Sequence, residues 1–407
     1  MLEQLLPSRR GFSGEDLIFA LNGEAQKRAA AGEAVINATV GALLDDRGKL
    51  VALETVMKVW RELTDPEIAP YAPITGDPAF LAAVTDRHWP GLGAPKSGCA
   101  TPGGSGALAL SVKNFLEPGM AVATMAPYWG PYDTLAAEGG AWIAPLPYPE
   151  PGRGLDTTAW EKALGDLMAS QGRVLLWLND PCHNPTGRCL SKADRAALTD
   201  LLRRLATKGP VTLLLDLAYL DYTREPEAVR EALDDYRAFA EGGAGVLVGA
   251  ALSISKSLTL YGARGGALVF PWTADAGLQA ALAVSCRGLF SNCPRAPQSL
   301  VVRLHLDGKA QEALAAEHRH WSQVLEARAL ALETALKAEG LDCPAWQGGF
   351  FVTLQVADPR GVCDRLKARG VFVVPMPWGL RVGICGLRAA DAPRFAQALG
   401  AALAESR

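Results

Sequence analysis

An α/β fold built on a mostly parallel sheet is what this sequence predicts, and two observations carry it. The first is a set of short apolar runs that end in polar residues or glycine: "MAVATMAPYW" at 120–129, "RVLLWLND" at 173–180, "VTLLLDLAY" at 211–219 and "GVLVGA" at 245–250. Such runs, short and apolar without strict alternation, read as strands buried on both faces. The second is helical texture between them. "SKADRAALTDLLRRLATKG" at 191–209 opens on a serine cap, repeats apolar residues at helical spacing and closes on glycine. Strand, helix, strand in succession is a βαβ unit, whose strands run parallel. After these come a long helix, "AQEALAAEHRHWSQVLEARALALETALKAEG" at 310–340, then short strands and a final helix from Asp391. The expected organisation is a large α/β domain at 45–307 and a smaller α+β domain built from both chain ends, 1–44 and 308–407.

Composition narrows the function classes. A chain of 407 residues exceeds the size at which one core stops growing, which favours two domains. Its formal net charge is only −3, so no basic face invites nucleic acid or an anionic membrane, and small molecules or a second copy of the chain are the expected partners. No signal-like apolar core opens the sequence, and no run approaches the roughly eighteen apolar residues of a membrane span; the expected location is the cytoplasm. The eight cysteines show no CxxC pairing, which suits reduced thiols, and among five histidines only His318 and His320 are close, so no metal is expected.

In open α/β sheets the ligand site lies beyond the carboxyl ends of the strands. The residues there form a consistent set: Asn184 in "NDPCHNPTG", then Asp216 with Tyr219, then Lys256 in "SISKSLTLYGAR". Earlier, "TPGGSGALAL" at 101–110 sets Gly103, Gly104, Ser105 and Gly106 at a helix start, where exposed N–H groups make a cup for phosphate. A phosphate cup, an acid, an amide, a phenol and a lysine are what pyridoxal 5′-phosphate requires: the lysine forms a Schiff base and the acid keeps the pyridine nitrogen protonated.

From about Ile36 to the C-terminal helix the chain resembles the aspartate and aromatic amino acid aminotransferases, class I enzymes of the fold-type-I pyridoxal-phosphate group. The resemblance rests on "INATVGALLDDRGK" (36–49), "YAPITG" (71–76), "TPGGSGAL" (101–108), "CHNPTG" (182–187), "DLAY" (216–219), "SISKSLTLYGARGG" (253–266), "RGLFSN" (287–292) and "RVGICGL" (381–387). It implies a large domain with a mostly parallel seven-stranded sheet beside the smaller α+β domain. It implies that Lys256 holds the cofactor and then shuttles the substrate proton. Ser253, Arg264, Gly104 and Ser105 would bind the phosphate, Asp216 the pyridine nitrogen, and Asn184 and Tyr219 the phenolic oxygen, with Trp129 stacked on the ring. Arg381 would clamp the substrate α-carboxylate, with Gly41, Asn184 and Trp129 also lining the substrate position. In a homodimer with shared active sites, Tyr71 would reach the partner's phosphate and Arg287 would meet the distal carboxylate of an acidic substrate.

The implied reaction is transfer of an amino group between an acidic or aromatic L-amino acid and a 2-oxo acid such as 2-oxoglutarate. The alternatives are a lyase on the same cofactor, acting on a β-substituted amino acid, and a non-catalytic cofactor-binding regulator; the latter usually carries a basic DNA-binding segment, which this sequence lacks. The chain departs from the family where histidines usually stand behind the pyridine-binding aspartate: the aligned positions are Tyr132 and Asn179, and Ala263 precedes the phosphate-binding arginine in place of an acid.

Overall fold

The apolar runs all become strands of one sheet in a computed structural model that describes residues 4–6, 9, 16–149, 152–243 and 245–405. In chain order the strands are β1 (Ile36–Asn37), β2 (Ser97–Pro102), β3 (Ala121–Ala126), β4 (Trp142–Pro147), β5 (Val174–Leu178), β6 (Val211–Asp216), β7 (Val246–Ser253), β8 (Gly265–Phe270), β9 (Phe351–Leu354), β10 (Val371–Phe372), β11 (Val374–Met376) and β12 (Gly379–Gly383). β2 to β8 form a seven-stranded sheet in the order β2-β8-β7-β6-β5-β3-β4. Its pairings are parallel except that β8 runs antiparallel to both its neighbours, β2 and β7. Every residue of β5, β6 and β8 is buried, the pattern of strands covered on both faces.

The helices follow their local signals. Between β5 and β6 the helix Lys192–Ala206 is closed by a reciprocal cap: the Ser191 hydroxyl accepts from the Asp194 N–H, and the Asp194 carboxylate accepts from the Ser191 N–H. It buries Leu198, Leu201, Leu202 and Leu205, the helical spacing visible in the sequence. The long helix runs Gly308–Ala338, and the last, Ala392–Ala404, starts after Asp391.

The chain divides into two compact units. The larger comprises 42–327 and 345–351 and holds the seven-stranded sheet; the smaller comprises 1–41, 328–344 and 352–407. The smaller unit has a parallel pair, β1 with β10, and a three-stranded sheet in the order β11-β12-β9. Among the described residues no helix is long and apolar enough to cross a membrane, and no group of His, Cys, Asp and Glu could hold a metal ion.

Register assembles one edge of the large sheet. Leu178 pairs with Leu215, Asp216 with Ala251, Ser253 with Gly266, and Pro102 with Gly265. The carboxyl ends of β2, β5, β6 and β7 therefore share an edge, and β8, running the other way, brings Arg264 to it just before its first residue. Close backbone approach fixes this corner. A Cβ on Gly266 would stand 2.5 Å from the Gly103 carbonyl carbon and 2.7 Å from the Leu252 oxygen, so only glycine fits between the helix start and β7. Gly266→Ala should therefore lose roughly 1–3 kcal/mol of stability, the range for forced overpacking, read from the midpoint of urea unfolding at unchanged slope.

Candidate functional site

The sheet edge gathers a buried acid and its neighbours. Asp216 closes β6 and is 8% exposed. The Tyr132 hydroxyl, from helix Pro131–Glu138, donates to its Oδ2 at 2.6 Å, and the Asn179 Nδ2 donates to its backbone carbonyl at 2.7 Å. Asn179, just past β5, also accepts the Asn184 N–H on its Oδ1 at 2.6 Å. Asn184 Nδ2 in turn donates to the Tyr219 hydroxyl at 3.1 Å. Burial raises the Asp216 carboxyl to about 6, partly offset by the Tyr132 hydrogen bond. Tyr132 and Asn179 thus both touch Asp216, one at the carboxylate and one at the main chain.

The lysine lies on the adjacent strand end. After β7, Ser253 caps the short helix Ile254–Ser257, its Oγ accepting the Ser255 N–H at 3.2 Å. Lys256 projects from that turn with Nζ 4.7 Å from the centre of the Tyr261 ring, and the Tyr222 hydroxyl donates to its carbonyl at 3.1 Å. The small hydroxyls around it hold the turn: the Ser257 hydroxyl donates to the Ser253 carbonyl, and Ser255 Oγ accepts from Arg264. Tyr261 has no role in the sequence reading. Its contact with Lys256 spans the end of the helical turn, where no periodic signal connects the two positions.

Beside the lysine turn is a cup. The helix Gly103–Phe115 begins against Arg264, which takes a φ of 55°, a left-handed conformation that a side chain disfavours. That conformation lets its guanidinium donate to the Ser255 Oγ and the Tyr261 and Pro102 carbonyls. A Cβ on Gly103 would sit 2.4 Å from Arg264 Nη2, and one on Gly104 3.3 Å from the Ser253 Cβ. Bare backbone, a serine and an arginine thus converge where the sequence placed a phosphate cup, and Ser105 lies in the first turn of the same helix.

Trp129 is half-buried and meets the Tyr132 ring edge-on at 5.8 Å between centroids. His183 supports its loop: its Nδ1 shares a hydrogen bond with the Thr186 hydroxyl at 2.9 Å, and burial holds its pKa down at about 3. Tyr71 is 90% exposed, and Arg287 is exposed with its guanidinium on the Ser291 hydroxyl at 2.7 Å. Arg381, on β12 of the smaller unit, is 3% exposed and donates to the Thr39 carbonyl at 2.8 Å; Gly41 belongs to the same unit.

The sequence matches the family described as aminotransferase class I and II over residues 33–399. The chain belongs to that family. Among similar proteins, the aromatic-amino-acid aminotransferase of Pseudomonas aeruginosa is 28% identical over 386 residues, covering 90% of this chain and 92% of the relative. Capreomycidine synthase of Streptomyces vinaceus is 29% identical over 342 residues, covering 81% and 78%. The solved structure of an aminotransferase from Anaerococcus prevotii superposes with a TM-score of 0.90 at 27% identity, covering 99% of this chain and all of that one.

Burial of the aminotransferase's Asp216 has a measurable sign. Its folded pKa of about 6 exceeds the ordinary 3.8, so between about pH 4 and 6 the folded protein holds a proton that the unfolded chain has released. Stability falls as pH rises through that window. In the cofactor-free protein Asp216→Asn should match the parent below pH 4 and exceed its stability by about 1–3 kcal/mol at pH 8, measured by urea unfolding across the range.

Proposed function

We propose that this aminotransferase uses pyridoxal 5′-phosphate to move an amino group between an acidic or aromatic L-amino acid and a 2-oxo acid such as 2-oxoglutarate. The observation that carries the reading is Lys256 in the turn that follows β7, beside a strand that closes on the buried Asp216. Two features support the fit of the cofactor. Among the described residues the Asn184 Oδ1 is buried without a hydrogen-bond partner although its amide nitrogen is bonded, a state that a bound polar group relieves. The helix start at Gly103 and Gly104, the Ser253 hydroxyl and the Arg264 guanidinium converge in one place, a charge-assisted set suited to a phosphate.

When bound, the cofactor supplies an aldehyde for the amine and a ring that accepts the electron pair released at the substrate's α-carbon. The rest falls to the chain. Asp216 would hold a proton on the ring nitrogen through its carboxylate. Asn184 and Tyr219 would hydrogen-bond the ring's phenolic oxygen, while Gly104, Ser105, Ser253 and Arg264 bind the phosphate and Trp129 covers the ring. Lys256 Nζ would first hold the cofactor covalently and then, displaced by the substrate amine, take the α-proton and return it to the cofactor's 4′-carbon. Arg381, its guanidinium oriented by the Thr39 carbonyl, would bind the α-carboxylate as a fork, with Gly41 beside the substrate.

We further propose a cytoplasmic homodimer whose larger unit carries the cofactor and whose smaller unit carries Arg381. Tyr71 and Arg287 would act in the partner's site, Tyr71 on the phosphate and Arg287 on the distal carboxylate of an acidic substrate. Their exposure supports this assignment.

The covalent role has a direct test. After borohydride reduction of the reconstituted protein, the parent should gain the mass of one reduced cofactor on the peptide containing Lys256. Lys256→Ala should stay folded, bind the cofactor reversibly and gain no mass there; label on another lysine would refute the assignment. Arg287→Ala should lower kcat/KM for aspartate and glutamate by roughly 2–5 kcal/mol, the loss from removing one partner of a desolvated charge pair. Phenylalanine should lose far less. Equal losses would place Arg287 outside the substrate site.

A further inference from the structure

Tyr132 touches both the acid and the indole of the proposed cofactor site. It is 1% exposed, and the hydrogen bond to Asp216 Oδ2 at 2.6 Å is the only one this carboxylate receives among the described residues. Its ring packs edge-on against Trp129 at 5.8 Å and against Trp177 at 4.9 Å, and it lies parallel to Tyr128 at 6.2 Å. Trp177 is itself fixed, its indole N–H donating to the Ser111 hydroxyl at 2.9 Å. The phenol is thus clamped on its faces and edge by aromatic rings, with one polar atom left to aim.

We propose that Tyr132 is a positioning residue that sets the Asp216 carboxylate and the Trp129 indole together, so that the acid and the stacking ring keep one fixed relation. The proposal rests on the cofactor reading of the site. The chemistry of a phenol makes the arrangement distinctive. It donates one hydrogen bond without adding charge, and burial together with the Asp216 carboxylate drives its own ionisation well above the ordinary tyrosine value. The donor therefore stays protonated throughout the neutral range, and the acid's affinity for a proton carries no second titration from its support.

β5 presents Trp177 and Leu178 toward this end of the sheet, β7 pairs Ala251 with Asp216, and the loops bring Asn179 and the titratable phenol of Tyr219. The turn after β7 carries Lys256.

The test is the titration of the Asp216 side-chain carbon, followed by NMR in full-length protein labelled at aspartate and assigned with Asp216→Asn. It is run without cofactor and again after reconstitution with pyridoxal 5′-phosphate. Tyr132→Phe keeps the ring and removes the donor. It should raise the cofactor-free midpoint by about one pH unit, a tenfold change in proton affinity, and leave Trp129 fluorescence unchanged. Tyr132→Leu removes the ring as well and should move both signals. Tyr132→His restores a donor that itself titrates, so the Asp216 curve should gain a second inflection near neutrality; this variant decides the matter if Tyr132→Phe does not fold. An Asp216 midpoint within about 0.2 units of the parent in Tyr132→Phe, or a single unshifted transition in Tyr132→His, would overturn the proposal and leave Tyr132 as packing. Failure of the parent to bind the cofactor would instead overturn the cofactor reading, because the cofactor-free titration does not depend on it.

Discussion

Placing a carboxylate at the buried end of a central strand is costly, and the surroundings of Asp216 answer that cost. Desolvation favours its protonated form, and a single phenol counters it with one short hydrogen bond. Its main-chain carbonyl is tied to Asn179, whose own oxygen fixes the Asn184 N–H. One chain of hydrogen bonds therefore runs from the end of β6 through the loop after β5 to Tyr219. An acid held this way is poised to gain from a bound group that brings a proton or a positive charge to Oδ1 and Oδ2. The burial that weakens the fold at neutral pH is what the proposed contact with a protonated pyridine nitrogen would relieve.

The opposite wall of the site is set by backbone rather than by charge. Gly103 and Gly266 let the helix start, β7 and β8 approach more closely than any side chain permits. Arg264 accepts a left-handed backbone so that its guanidinium reaches back over the helix start. The antiparallel β8 is what makes this possible, since only a strand entering from the carboxyl edge could present a residue preceding it to the same place as residues following β2 and β7. The antiparallel run of β8 and the meeting of Arg264 with the helix start at Gly103 are thus the same structural fact.

Much of this was legible in the sequence because it depends on short-range signals. The runs at 173–180 and 211–219 have apolar centres, Val174–Leu178 and Leu213–Leu215, and so form buried strands; Ser191 with Asp194 marks its helix start by reciprocal capping; and the residues after each run belong to one edge once the strands are parallel. Gly103 to Gly106 announced a helix start with bare N–H groups. What was not legible depends on packing between distant segments. The Tyr132 contact with Asp216 links residues 84 positions apart, and alignment with the family marked the position without indicating that its hydroxyl would reach the carboxylate. Tyr261 beneath Lys256 follows from how the turn ends, and no periodicity encodes it. Tyr71 is exposed and Arg287 bonds the Ser291 hydroxyl, so the roles proposed for them rest on the family resemblance and not on a contact within one chain.

The central claim is that Lys256 and Asp216, on adjacent strand ends, serve amino-group transfer. It is tested most directly by mixing the protein, reconstituted with pyridoxal 5′-phosphate, with one equivalent of 15N-labelled aspartate or phenylalanine and no oxo acid. Transfer requires that the label leave the amino acid and appear on the cofactor, with one equivalent of the corresponding 2-oxo acid released and no free ammonia. Labelled ammonia in solution, or release of the substrate's β-substituent with the cofactor unaminated, would contradict the account.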